Sequence, residues 1–221
     1  MNAPSTAPIT IDIVSDVVCP WCFIGKRRLE KAMAAFKAPL AMRWRPHQLD
    51  PTIPPGGKDR RAYLEAKFGS AERIRQLHEN VSVAGASEGI DFAFEKILVS
   101  PNTLDAHRLI RWADQAGVEE NIVEALFHAY FFEGRNIGDH AVLADIAARQ
   151  GMEPDTVLSR LAGGEDRRDV AEEIDAARRI GVSGVPTFII GNRYAVVGAQ
   201  PAEEILRALI AVQKESERVS R

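Results

Sequence analysis

Cysteine is scarce in this chain, with two among 221 residues, and a scaffold held together by several disulfides is therefore excluded. Long apolar runs are absent as well. Charged residues recur every few positions, so no window approaches the roughly 18 apolar residues that a membrane span needs. With 46% apolar and 27% charged residues, the composition is that of an ordinary globular protein whose core does not need disulfide bonds for stability.

The chain also lacks an excess of charge of one sign. Its formal net charge is −3, which gives no electrostatic basis for binding nucleic acid or an anionic membrane. The densest basic run, Lys26-Arg27-Arg28, falls inside a predicted helix, and we expect it to form a solvated helix face. Neither class of partner is predicted.

The N-terminus shows no export signal, because no basic segment is followed by an apolar stretch and a small-residue cleavage site. We therefore expect the protein to be cytoplasmic. In that reducing compartment a structural disulfide does not persist.

The two cysteines, Cys19 and Cys22, are separated only by Pro20 and Trp21. Two cysteines placed at random would fall at this spacing roughly once in a hundred times, so the pairing itself indicates a function. The alternating segment 9–14 predicts a strand before the pair, and from Phe23 the apolar spacing becomes helical. The pair is therefore predicted to lie where a strand meets a helix.

Patterning divides the rest of the chain into three parts. A second strand is predicted at 41–45, followed by a proline-rich loop at 47–57. Residues 59–180 are almost entirely helical in pattern, with Asp59, Ser70 and Asp139 placed to cap helices. Segments 185–190 and 193–197 predict a hairpin around a Gly-Asn turn, and a last helix begins near residue 201.

The predicted position of the pair gives each cysteine a different task. At the first turn of a helix, Cys19 faces unpaired backbone N–H groups and the positive end of the helix dipole, which favour a thiolate. Cys22, one turn further on, can attack a mixed disulfide on Cys19 and complete a two-electron exchange. Pro20 suits a first helical position, which needs no N–H. We expect Cys19 to be the exposed nucleophile and Cys22 the shielded resolving thiol.

Zinc binding is the alternative for a closely spaced cysteine pair. A structural zinc site takes four ligands, and no further cysteine follows Cys22. Only isolated histidines remain, and we expect them to be structural or surface groups: His47, His78, His107, His128 and His140. The ligand count disfavours zinc, and no metal is predicted.

The chain resembles the thioredoxin-fold superfamily, and within it the DsbA-like, FrnE-type branch related to 2-hydroxychromene-2-carboxylate isomerases and kappa-class glutathione transferases. The resemblance covers nearly the whole chain. It is carried by SDVVCPWCFIGKRRLEKA, PNTLDAHRLIRWA, LFHAYFFEGRNIGD and GVSGVPTFIIGNRYAVVGAQP. It implies an α/β thioredoxin fold with a large all-helical insertion.

The resemblance also implies domain bounds and site residues. The thioredoxin domain would comprise residues 1–58 and 181–221, and the insertion residues 59–180, whose last helix could instead rejoin the thioredoxin domain. Pro186 would be cis and lie against the cysteines, while the backbone of Val185 would bind an incoming peptide or glutathione. Asn102 and His107 would face the substrate, although a cap for Asn102 and packing for His107 are the alternatives.

Two departures from relatives bear on the chemistry. The Pro20-Trp21 pair is closest to the Pro-Tyr of glutaredoxins, which predicts an intermediate redox poise. The isomerases and transferases carry serine where this chain has Cys19, and a hydroxyl cannot exchange disulfides. The pair therefore favours redox chemistry.

Three hypotheses follow. The first is a dithiol–disulfide oxidoreductase acting on protein thiols or on glutathione, with no tightly bound cofactor. The second is a glutathione-dependent isomerase or transferase for an aromatic or polyketide-like molecule. Its candidate cleft walls are Phe127, Phe131 and Phe132, although such residues more often belong to the core. The third is a chaperone whose binding persists without the cysteines. The direction of electron flow and a homodimeric state are left open.

Overall fold

In a computed structural model, residues 8–219 are described and form nine α-helices and six β-strands. The strands are β1 (Ile9–Ser15), β2 (Leu40–Pro46), β3 (Lys58–Asp59), β4 (Val99–Ser100), β5 (Thr187–Ile190) and β6 (Tyr194–Val197). The helices are α1 (Pro20–Ala35), α2 (Arg60–Phe68), α3 (Ala71–Ala86), α4 (Leu104–Gln115), α5 (Glu119–Phe131), α6 (His140–Arg149), α7 (Pro154–Gly163), α8 (Arg167–Arg179) and α9 (Ala202–Val219).

Four strands form the main sheet, in the order β2-β1-β5-β6. Strand β1 pairs parallel to β2 and antiparallel to β5, and β5 pairs antiparallel to β6. Because β1 is central, its residues are buried on both faces from Ile11 onward. Helix α1 makes the crossover between the parallel strands and packs against α9. This is the α/β fold predicted from the sequence.

The predicted strands and turn residues are confirmed. The segment 9–14 is strand β1, and the segment 41–45 lies within β2. The hairpin turn includes Gly191 and Asn192, whose φ angles of 58° and 56° lie in the left-handed region, and with Arg193 they connect the paired residues Ile190 and Tyr194.

The predicted helix caps are also confirmed. Asp59 accepts a hydrogen bond from the backbone N–H of Ala62, and Ser70 accepts one from Arg73. Asp139 accepts from the backbone N–H groups of Ala141 and Val142 in the first turn of α6. These polar side chains start the helices because each replaces a missing intrahelical acceptor.

Two elements of the helical block differ from the sequence expectation. The segment between α1 and α4 contains a ribbon of two short strands, β3 and β4, each of two residues. Helix α7 is not predicted from the sequence, although Pro154 at its first turn and Gly164 after its end are typical helix boundaries. The domain bounds at 58/59 and 180/181 stay a prediction, and residues 1–7 and 220–221 lie outside the described residues.

The expectation that the basic run forms a solvated face is wrong. The Lys26 side chain is only 4% exposed and its ammonium lies 2.6 Å from Glu120 and 2.9 Å from Glu124, both on α5. Arg27 also pairs with Glu124. The carboxylates come from a helix about 95 residues further along the chain, so the local sequence could not reveal them.

The hydrophobic core joins α1 to α4, α5 and α6, and it also includes residues of β1, β5 and α9. The ring of Phe23 stacks on that of Phe127 at 4.9 Å, and Phe131 packs beside both.

Within residues 8–219, no helix combines the length and apolarity that crossing a bilayer requires.

Candidate active site

The two cysteines lie at the junction of β1 and α1, as the sequence predicts. Cys19 occupies the N-cap position and Pro20 the first turn of α1. The backbone N–H of Cys19 donates to the carbonyl of Asp16 at 2.9 Å, which holds the turn that ends the strand. The Cys19 side chain makes no capping hydrogen bond, so its thiol is free for other contacts.

The thiol of Cys19 donates to the carbonyl oxygen of Val185 at 3.8 Å. The Val185–Pro186 peptide bond is cis, which confirms the predicted isomer. Gly25 lets the proline ring approach α1, because a Cβ at that position would lie 2.7 Å from Cγ of Pro186. Because Gly25 has no side chain, the 185–186 segment can pack closely against α1, beside Cys19.

Cys22 lies behind Cys19 and is only 1% exposed. Burial raises the pKa of its thiol well above the ordinary value, and the nearby Cys19 raises it further. The Ser15 side chain and the backbone of Asp16 oppose this shift of the Cys22 pKa. The shielded position predicted for Cys22 is confirmed.

The prediction that Cys19 is exposed is wrong, since only 4% of this residue is accessible. Cys19 instead lines a cavity whose wall also includes residues of the 184–185 segment, α2 and α3. The sequence reveals the helix terminus but not the elements that cover it.

The cavity beside Cys19 has a volume of about 500 Å³, within the range that small-molecule sites occupy. Trp21 lines it near Cys19, and most of its wall is apolar. The apolar wall includes Leu49, Ile53, Leu64, Phe68, Leu77 and Phe94. Polar side chains are fewer, and they include Arg60, Tyr63, Lys67, His78 and Tyr130.

A model of the DsbA-like thioredoxin domain matches residues 10–210, nearly the whole chain. The chain belongs to the DsbA-like thioredoxin family. Membership supports the prediction that this DsbA-like protein is a redox enzyme, and Cys19 and Cys22 have the CXXC spacing.

Solved structures give the same result for the fold. A probable DsbA oxidoreductase from Streptomyces coelicolor is 30% identical, with a TM-score of 0.87 over 94% of this chain and 91% of that one. A 2-hydroxychromene-2-carboxylate isomerase is 16% identical, with a TM-score of 0.72 over 96% of this chain and all of its own. The cytosolic disulfide reductase DsbM from Pseudomonas aeruginosa, solved with GSH, is 18% identical, with a TM-score of 0.62 over 96% and 99% of the chains.

In this DsbA-like chain Asn102 does not line the cysteine cavity. Its amide nitrogen donates to the Ile53 carbonyl at 2.6 Å, and its oxygen accepts from the backbone N–H of Leu104 and from Gln48. These bonds fix the start of α4 to the 47–57 loop, in line with the capping alternative. A role in substrate binding stays a prediction.

His107 is also absent from the cavity wall. It is 5% exposed, and its Nε2 atom lies 2.8 Å from the His47 carbonyl and 3.5 Å from a carboxylate oxygen of Asp16. It borders a separate cavity of about 270 Å³, beneath α4 and α8. The packing alternative agrees with this position, and a substrate contact stays untested.

The phenylalanines named as candidate cleft walls are core residues, in line with the core alternative. Phe127 and Phe131 are fully buried, and Phe132 packs against the same cluster. Helices α2 and α3 contribute much of the cavity wall instead, and the sequence did not connect them with the site. On α2, Arg60, Leu64 and Lys67 recur at helical spacing, so periodicity could have placed them on one face.

Proposed function

We propose that this chain is a dithiol–disulfide oxidoreductase in which Cys19 attacks the substrate and Cys22 resolves the mixed disulfide. One observation carries the proposal. Cys19 occupies the N-cap position of α1 and lines a cavity beside the Val185 carbonyl, while Cys22 lies one helical turn behind it and is buried. Such a pair meets the geometric needs of thiol–disulfide exchange.

The reaction proceeds in two thiol–disulfide exchange steps. The Cys19 thiolate attacks one sulfur of a substrate disulfide, forms a mixed disulfide and releases the first thiolate, which takes a proton from solvent. Cys22 then loses its proton and attacks Cys19 Sγ, which closes the intramolecular disulfide and releases the second thiol. The substrate gains two electrons, which the dithiol loses, and the reverse sequence oxidises a dithiol.

The environment of Cys22 suits the second role. Because burial and Cys19 raise the Cys22 pKa, Cys22 remains a thiol while Cys19 reacts first. The Val185 carbonyl, which accepts from the Cys19 thiol, belongs to backbone that an extended substrate can reach.

Separate serine variants of the two cysteines test the proposal. We expect Cys19→Ser to reduce disulfide exchange to the background rate, because the attacking sulfur is gone. We expect Cys22→Ser to accumulate a mixed disulfide, because nothing resolves it. Mass spectrometry after acid quenching, with oxidised glutathione as the substrate, measures both. Full exchange activity in Cys19→Ser would refute the assignment.

Glutathione is proposed as the co-substrate and the cytoplasm as the compartment. The fold shared with the cytosolic reductase DsbM, solved with GSH, supports both at the level of the fold. Titration of the Cys19/Cys22 couple in glutathione buffers would give the direction of electron flow, for which Pro20-Trp21 predicts an intermediate potential.

The largely apolar cavity favours a second candidate, a glutathione-dependent isomerase or transferase for a small molecule. The fold shared with the 2-hydroxychromene-2-carboxylate isomerase also supports it. Saturable glutathione binding and turnover that survive Cys22→Ser would favour this function. Loss of turnover in that variant would favour the oxidoreductase.

A further inference from the structure

The α2–α3 hairpin covers the cysteine cavity with an apolar surface. Few residues of these helices are buried in the protein interior: Leu64 on α2, and Val81 and Gly85 on α3. Phe68, Ile74 and Leu77 line the cavity, and Phe68 and Leu77 remain 38% and 37% exposed. The hairpin therefore offers apolar surface that a ligand beside Cys19 can cover.

Arg60 brings a cation into this apolar cavity without a carboxylate partner. It is half-buried at the start of α2, and no carboxylate within residues 8–219 lies at ion-pair distance from its guanidinium. One terminal nitrogen donates to Tyr130 Oη at 3.0 Å and lies 3.5 Å from the Ser100 hydroxyl, and the Nε atom is buried with no acceptor. An unpaired guanidinium that retains donors is suited to bind an anion, and a carboxylate in particular.

Arg60 differs from the other charged groups of the cavity in its burial. Lys67 also lacks a carboxylate partner within residues 8–219, but it is exposed and donates to Tyr63 Oη at 2.9 Å. Asp50 accepts from both the backbone and the hydroxyl of Thr52, and Asp16 accepts from the backbone of Leu49 while its second oxygen is buried with no hydrogen-bond partner. Arg60 is therefore the half-buried cation of this cavity that retains unused hydrogen-bonding capacity toward an anion.

We propose that the cavity binds a small thiol, or its disulfide, that carries an apolar body and a carboxylate. The carboxylate pairs with Arg60, the apolar body covers the α2–α3 hairpin, and the sulfur reaches Cys19. This inference rests on the proposed oxidoreductase function and adds the substrate class, with the two exchange steps unchanged. A volume of about 500 Å³ suits a ligand of that size.

Two aromatic disulfides that differ in charge test the proposal. Dithiobis(nitrobenzoate) carries carboxylates and dithiodipyridine is neutral, and both release a coloured thiol when Cys19 attacks. We expect Arg60→Gln to lower the ratio of the first rate to the second by about tenfold, the loss expected for one charged hydrogen-bonded contact. We expect Arg60→Lys, which keeps the charge, to restore much of the ratio.

The adjacent Arg61 provides a matched control. Its side chain is 86% exposed and pairs with Glu65 on the outer side of α2. Arg61→Gln removes the same charge from the same helix turn and should leave the ratio unchanged. An unchanged ratio in Arg60→Gln, or an equal change in Arg61→Gln, would overturn the subsite.

A competition experiment with the unaltered protein covers the case in which Arg60→Gln does not fold. Phenylpropionate should protect Cys19 from dithiodipyridine at lower concentration than phenylpropionamide does, and equal protection would overturn the subsite. Failure of Cys19 to react with either disulfide would instead contradict the proposed function, so the two failures are distinguishable.

Discussion

The most perturbed carboxyl group outside the cysteine site is Glu119, at the start of α5. Burial raises its pKa to about 7, and the nearby Asp114 and Glu120 add to the shift. The backbone N–H of Trp44 donates to Glu119 at 3.3 Å and opposes the shift only in part. The folded protein therefore holds the Glu119 proton more tightly than the unfolded chain does.

This shift predicts a stability effect with a defined sign. Between about pH 4.5 and 7, the folded state binds more protons at Glu119 than the unfolded state, so the group costs stability as the pH rises. Glu119→Gln keeps the acceptor oxygen and removes the charge. After allowance for solvent screening, we expect it to raise the free energy of unfolding at pH 8 by about 1–2 kcal/mol.

Urea unfolding at several pH values measures this effect. The advantage of Glu119→Gln should disappear near pH 4.5, where the folded wild-type protein keeps the carboxyl protonated. Glu79→Gln, at an exposed position on α3, serves as the control. The same advantage at pH 4.5 and pH 8 would contradict the assignment to Glu119.

Among the secondary-structure elements, the contact between α1 and the 185–186 segment depends on one glycine. Gly25 faces Pro186 and Phe188, and a Cβ there would lie 2.7 Å from the first and 3.2 Å from the second. Helical patterning predicts α1, but it does not show that position 25 of this helix must lack a side chain. The requirement comes from a segment about 160 residues further along the chain.

Gly25→Ala should destabilise the fold by about 1–3 kcal/mol, the usual cost of overpacking. Gly163→Ala is a matched control, because this glycine also belongs to a helix, yet a Cβ added there would meet nothing within 4 Å. Thermal unfolding should show a lower midpoint for Gly25→Ala and an equal or higher midpoint for Gly163→Ala. A midpoint that is unchanged in Gly25→Ala would show that the proline can shift at no cost.

Helix caps can be predicted from the local sequence, whereas the pairing of β3 with β4 cannot. Asp59, Ser70 and Asp139 start helices through their own hydrogen bonds, and they are readable from the sequence for that reason. The short strands β3 and β4 pair residues about 40 positions apart, and no local pattern predicts such a ribbon. Helix α8 lies against β2, so we propose that the last helix of the insertion belongs with the thioredoxin domain.

Across the molecule as a whole, a buried arginine connects separate helices of the insertion. Arg108 on α4 is fully buried and pairs with Asp105 at 2.8 Å. Its guanidinium also donates to the carbonyls of Arg160 and Leu161 at the end of α7. Both carbonyls also accept from backbone N–H groups that follow α7, so Arg108 adds a second donor to each.

Arg108→Ala should lower the free energy of unfolding by about 3–5 kcal/mol, because it leaves a buried carboxylate and buried carbonyls with fewer partners. Arg168→Ala, whose side chain is 85% exposed, should change it by no more than about 0.5 kcal/mol. Urea denaturation of both variants measures the difference. Similar losses in the two variants would contradict a structural role specific to Arg108.

Local sequence patterns were enough to establish the α/β order, the strand-to-helix position of Cys19 and Cys22, the helix caps and the hairpin turn. Each of these features depends on neighbouring residues, through periodicity, capping or turn chemistry. The resemblance added the cis isomer at Pro186, which the structure confirms.

What surrounds these residues emerged only from the packing of the folded chain. The fold buries Cys19 beside a cavity lined by α2 and α3, pairs Lys26 with α5, places the phenylalanines in the core and leaves Arg60 without a carboxylate partner among the described residues. Each outcome depends on contacts between segments far apart in the chain. Local patterns do not encode those contacts, because burial and charge pairing are properties of the packed molecule.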